Sequence, residues 1–262
     1  SAMDLRSLRP LAALALAVAN ETTEAYIDST GTILAGDMDI AATGNDTITT
    51  TAKGSPSGAK NTGATTDSQS KLTDYKAETS DGSVGVAAAV AITDLTRQTK
   101  AYISTPASIT SADGLDIIAT SSGGAATKAD GGAASSSVGV GVGVAVNNVD
   151  ADNLAYVDGN SNLTAKSIKV QALMPATGAF SVEAISGAGA SGVGVAGSLA
   201  INIADSVSTA LIKSGSAVVL TGGDGNLTAE NKTVNTAIAK PVHEGAAAGS
   251  VGVGASVALN IA

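Results

Sequence analysis

The chain has no cysteine and no tryptophan, and only one phenylalanine and one histidine in 262 residues. Without cysteine there is no disulfide and no thiolate metal site. The lone histidine, His243, sits in a Pro-Val-His-Glu-Gly segment that reads as a solvated loop. Any imidazole metal centre or Ser/His/Asp triad would have to be built around that one residue. Aromatic residues make up 2%, so large rings cannot fill an interior. Basic residues are scarce as well, 14 Lys and Arg against 23 Asp and Glu, for a net charge of −9. There is no basic stripe of the kind nucleic-acid binding requires.

What is abundant is glycine, 31 residues, much of it in one recurring strand. Val138 to Asn147 reads VGVGVGVAVN, with relatives beginning at Val84 (VGVAAAVAIT), Val193 (VGVAGSLAIN) and Val251 (VGVGASVALN), and a weaker copy at Ala13 to Asn20. From Val84 to Val138 is 54 residues, from Val138 to Val193 is 55 and from Val193 to Val251 is 58. A fixed period of this length marks a repeat architecture. Within each copy valines alternate with small residues, and period two is the strand signal. A membrane helix over Ala184 to Ala204 is disfavoured, because glycine costs about 1 kcal/mol per residue in a helix interior and the pattern alternates. The small residues suit a narrow interior in which backbones approach closely.

Each repeat follows one plan, seen in the copy that starts at Val138. The first strand passes through an Asx-rich turn at Asn148 to Asn153 into Leu154 to Val157; a second turn follows at Gly159 to Asn162, then an alternating strand at Leu163 to Leu173. Met174-Pro175 breaks that strand. Strands separated by short Gly/Asn/Asp turns, with no amphipathic crossover helix, predict an all-β fold of parallel β-solenoid type, about four repeats of ~55 residues with two or three stacked layers each. The repeats fall at approximately 11–83, 84–137, 138–192 and 193–250, with a partial one at 251–262, in a single elongated array over 11–262. Residues 1–3 read as a tag remnant, and the chain as cut from a longer array. Met3 to Ala19 imitates a signal peptide, but the AYI that follows at Ala25 to Ile27 returns as AYI at Ala101 and AYV at Ala155, which places this segment in the array. The first repeat is about 22 residues longer than the others, and 43–80 reads as an insertion from it, of the sort that carries binding in repeat proteins.

The candidate site residues are few. Thr93, Asn147, Asn202 and Asn260 all stand nine residues after a VGV start, a column that can hydrogen-bond from one strand to the next. Weak calcium candidates are Asp37, Asp39, Asp150, Asp152 and Asp224, with the Asp113/Asp116 pair. Calcium takes six to eight oxygens, and turn chemistry explains these aspartates without a metal. No catalytic or cofactor-binding set emerges, and no cofactor is expected unless it is calcium.

The VGVGVGVAVN strand, the AYI/AYV after it and the LTAKSIKVQA strand at Leu163 to Ala172 together resemble the repeat regions of very large bacterial surface proteins: adhesins and haemagglutinin- or haemolysin-like exoproteins, in the style of autotransporter passengers. The resemblance implies a right-handed β-helix, an extracellular or cell-surface location, and a non-catalytic stalk or display segment serving adhesion or biofilm formation. It implies as partners a host or neighbouring-cell surface or a glycan, and adjacent repeats of the same parent protein, with end-to-end self-association where strand edges are open. It offers no nucleic-acid contact and no membrane span. The Gly/Ala content is heavier than in such repeats. A carbohydrate-active β-helix enzyme or polysaccharide-binding module is the alternative, and it would require clustered charges on one face.

Overall fold

The computed structural model describes residues 9–54, 84–104, 106–134 and 137–262. All regular structure among them is β-strand, arranged in four parallel sheets. Sheet A contains β1 (Arg9–Ile27), β5 (Val84–Ile103), β9 (Val138–Val157), β13 (Val193–Ile212) and β17 (Val251–Ile261). Sheet B contains β2 (Thr32–Ala35), β6 (Ser108–Ser111), β10 (Asn162–Ala165) and β14 (Ala217–Leu220). Sheet C contains β3 (Met38–Gly44), β7 (Gly114–Ser121), β11 (Ser167–Met174) and β15 (Gly225–Asn231). Sheet D contains β4 (Thr47–Gly54), β8 (Gly124–Ala134), β12 (Ala179–Ala190) and β16 (Val234–Ala248).

Each repeat thus supplies one strand to each sheet, and hydrogen-bonded neighbours are one repeat apart in sequence. Val84 pairs with Val138, Val138 with Val193 and Val193 with Val251. This corrects the expectation of two or three layers per repeat: one period makes one layer. The weak copy in β1 is in register with the rest, Ala17 opposite Thr93 and Tyr26 opposite Tyr102.

Two further expectations are corrected. Asn148 to Asn153 is not a turn but the middle of β9, a strand of 20 residues. Its polar residues keep period two: Asn148, Asp150 and Asp152 face outward while Val149, Ala151 and Asn153 face inward, so one solvated face accommodates them without a bend. The candidate insertion at 43–80 begins too early. Thr43 and Gly44 end β3 and Thr47–Gly54 form β4, with Thr50, Ala52 and Gly54 buried; the remainder of that range lies outside the described residues.

Burial along sheet A follows composition. In the first half of β9 the glycines, Ala145 and Asn147 point inward, and the valines from Val138 to Val146 point out. The reason is the approach of sheet D: a Cβ on Gly141 would overlap the carbonyl oxygens of Gly187 and Gly131, and one on Gly143 that of Ile185. Only hydrogen fits there. Farther along the same strands the interior widens, and Ile109, Leu115, Ile117, Leu163 and Val170, each no more than 1% exposed, pack between sheets A, B and C. Burial of each such side chain contributes about 1.5–3 kcal/mol.

The largest length differences between repeats are absorbed at one corner. Gly54 pairs with Gly131, but Val84 follows Gly54 by 30 residues whereas Val138 follows Gly131 by 7. In the fourth repeat, Ser186 pairs with Pro241 and Ala188 with Ala246, so five steps on β16 match two on β12. Those three extra residues turn a 55-residue spacing into 58. His243 belongs to this irregular stretch of β16, and its side chain is not among those described.

Candidate functional site

The column of Thr93, Asn147, Asn202 and Asn260 lies on the inner face of sheet A, and the first three are completely buried. Asn147 Nδ2 donates to Asn202 Oδ1 at 2.9 Å, and Asn202 Nδ2 donates to Asn260 Oδ1 at 2.8 Å. Sheet D supplies the remaining partners. Asn202 Nδ2 also reaches the Phe180 carbonyl at 3.3 Å, and Asn260 Nδ2 reaches that of Asn235 at 3.3 Å. Thr127 Oγ1 donates to Asn147 Oδ1 at 3.3 Å, Thr93 donates to Thr50 at 2.8 Å, and the Thr93 and Thr127 hydroxyls are 2.5 Å apart. A single polar seam therefore runs through the layers between sheets A and D. Its chemistry is register. A one-residue slip of β9, β13 or β17 would turn its asparagine outward and leave the neighbouring amide unpaired, at a cost of about 1–3 kcal/mol.

Sequence reasoning missed a second inward column six residues farther along: Thr23, Thr99, Asn153 and Ser208. Asn153 Nδ2 donates to the Ala119 carbonyl at 3.1 Å, while Thr99 Oγ1, Asn153 Oδ1 and Ser208 Oγ are buried without a hydrogen-bond partner. It too stands at a constant distance from the VGV start, fifteen residues instead of nine, and that spacing would have found it. It also missed Arg97, which is 2% exposed. Its Nε donates to Glu21 Oε2 at 2.7 Å and its Nη2 to the Asp46 carbonyl at 2.6 Å, while Nη1 faces Gly123 with no partner. Glu21 stands opposite Arg97 in the register, one layer away.

The aspartates singled out from sequence occupy different outer faces. On sheet C, Asp39 is opposite Asp116, and Asp116 accepts a hydrogen bond from Lys169 Nζ at 2.7 Å. That bond, then the charges of Asp116, Asp39 and Asp37, hold the Lys169 ammonium above its ordinary pKa. On sheet A, Asp150 is opposite Asp205, and desolvation followed by the charges of Asp150 and Asp205 raises the Asp152 carboxyl. Asp224 contributes its backbone carbonyl to Ile168 N at 3.1 Å. Among the described residues no three His, Cys, Asp or Glu side chains are grouped so as to hold a metal ion.

Sheet D carries its own outer charge set. Glu183 accepts from Lys128 at 2.8 Å and from Lys240 at 2.5 Å. Burial works to raise the Glu183 carboxyl, and the two lysines outweigh it, leaving its pKa lowered. Asp130 is 5% exposed, and desolvation raises its carboxyl against the opposing pull of Lys53 and Lys128.

Beyond the VGV segments of the same strands, tyrosines recur in register. Tyr26, Tyr102 and Tyr156 stack along the outer face of sheet A, with ring centroids 5.1 and 4.8 Å apart and planes within 13° and 10°. Lys213 Nζ caps the stack 4.8 Å from the Tyr156 ring.

The chain matches no protein-family model, no curated protein and no solved structure.

Proposed function

We propose that the chain is a non-catalytic β-solenoid display module of a secreted bacterial surface protein, and that the outer face of sheet A is its adhesive wall. The localisation and the right-handed sense come from the resemblance of the repeats. The observation that carries the reading is the division of labour within sheet A. In the VGV segments at 84–93, 138–147 and 193–202, small residues, Thr93 and the asparagines take the inner face, and the branched apolar side chains are left on the outside. Val142 and Val195 are each 38% exposed in the middle of the sheet, with Leu14, Leu16 and Val18 above 60% on β1. Neighbouring columns continue this face through Val90, Val144 and Leu199 and through Ile92, Val146 and Ile201. Contiguous exposed apolar surface of this kind marks contact sites.

The dimensions favour display over reach. One 55-residue layer advances the stack by only about 4.8 Å, whereas a 20-residue strand is about 66 Å long. The module is a wide wall, and length would need many repeats.

The test is retention on an alkyl-coated surface compared with a hydrophilic one, for the native chain and for a Val142→Lys/Val195→Lys variant. Preferential retention of the native chain that falls at least tenfold in the variant, with an unchanged far-UV circular dichroism spectrum, is the expected result. Equal retention of the two proteins would overturn the reading.

A further inference from the structure

The tyrosine stack lies on the same outer face as the exposed valines but farther along the strands, where chemistry can reach it. Tyr26 is 54% exposed and Tyr102 and Tyr156 are half-buried on the solvent side of sheet A. Their strands are locked in parallel register, so each ring meets the equivalent ring of the next repeat. The chain also lacks the side chains that most readily divert oxidising equivalents, since there is no thiol and no indole. Of the two described methionines, Met174 is 1% exposed and Met38 is partly buried against the core.

We propose that the Tyr26–Tyr102–Tyr156 column is an oxidative cross-linking site, at which a peroxidase using hydrogen peroxide couples adjacent rings into dityrosine and joins neighbouring repeats covalently. Each phenol gives up one electron and its hydroxyl proton and becomes a phenoxyl radical with spin density on the ring carbons ortho to oxygen. The Glu24 carboxylate lies 3.5 Å from the Tyr102 hydroxyl and is placed to take that proton. Two radicals on adjacent rings form one Cε–Cε bond. The hydrogen on each bonded carbon then moves to its own phenoxyl oxygen, restoring both aromatic rings and both hydroxyls. The two electrons and two protons released reduce one hydrogen peroxide to two waters. Closing the bond from stacked centroids about 5 Å apart takes side-chain rotation alone, since in-register strands already hold the backbones at about 4.8 Å.

The chain is treated at high dilution with peroxidase and hydrogen peroxide, followed by dityrosine fluorescence, denaturing electrophoresis and peptide mass spectrometry. The expected products are monomeric chains carrying links between Tyr26 and Tyr102 or between Tyr102 and Tyr156. Tyr102→Phe keeps a ring in the stack and should lower intramolecular dityrosine at least tenfold. Tyr26→Phe should remove one link and leave the other. Dityrosine formed only between chains, or an intramolecular yield unchanged in Tyr102→Phe, would overturn the proposal.

Discussion

Replacing Asn202 by alanine tests whether the seam between sheets A and D maintains the stack. Asn202 is fully buried and takes part in three hydrogen bonds: it accepts from Asn147, and donates to Asn260 and to the Phe180 carbonyl. Truncation leaves the Asn147 amide as a buried donor without that acceptor, which costs about 1–3 kcal/mol. Asn260 lies on an exposed strand and regains water, so its loss adds little. The Phe180 carbonyl loses a side-chain donor, worth up to about 1 kcal/mol. The sum is about 1–4 kcal/mol, read as a lower urea midpoint at unchanged slope. A partner experiment separates lost pairing from lost packing. In Asn147→Leu/Asn202→Leu both ends of one bond become apolar, so the double variant should cost clearly less than the sum of its single variants. A cost for Asn202→Ala below about 0.5 kcal/mol, or strict additivity of the leucine variants, would refute the argument.

Other outcomes follow from the same structure. Gly141→Val places a Cβ against the Gly187 and Gly131 carbonyls and should destabilise by about 3 kcal/mol or more, at the upper end for overpacking, whereas Val142→Thr on the outer face should cost under about 1 kcal/mol in the same urea titration. Glu21→Gln removes the carboxylate beside buried Arg97 and should cost about 3 kcal/mol; Arg97→Met, which removes the charge itself, should cost less in thermal unfolding. Asp130 has a raised carboxyl in the fold, so the folded chain binds its proton more readily than the unfolded chain, and stability from this group rises as pH falls through the folded value. Asp130→Asn should therefore raise the melting temperature at pH 7, and its advantage should vanish below the ordinary aspartate range. Glu183 has the opposite sign: its stabilisation is present above its unfolded pKa and is lost as pH falls through the lowered folded value, so Glu183→Gln should flatten the acid limb of the melting curve.

Much of this architecture is legible in the sequence, because parallel in-register pairing copies the repeat period into space. The Thr93, Asn147, Asn202 and Asn260 column falls at one offset in the sequence and at one height on sheet A. Local composition was the poorer guide. Asn148 to Asn153 carries the residues of a turn, and Thr47 to Gly54 the residues of a loop, yet both alternate with an inward set that a sheet can bury. The number of layers per period was out of reach for a related reason: four strands in one layer and two strands in each of two layers have the same local pattern, and only pairing distinguishes them. Arg97 was unreadable because its environment comes from Glu21, 76 residues earlier, and from the Asp46 carbonyl, 51 residues earlier. In its own segment, Thr93 to Lys100, it reads as one charge among polar neighbours.

The corner between sheets D and A, where the first and fourth repeats take up their extra residues, gives this fold a grafting point. Strand pairing resumes in register on the far side in both cases, at Val84 and at Val251. Lengthening the connection from 7 to 30 residues costs about 1 kcal/mol of closure entropy, small beside the burial in a single layer. A lineage of such proteins can therefore acquire, exchange or discard whole segments at this corner, one repeat at a time, while the hydrogen-bonded scaffold beneath is inherited unchanged.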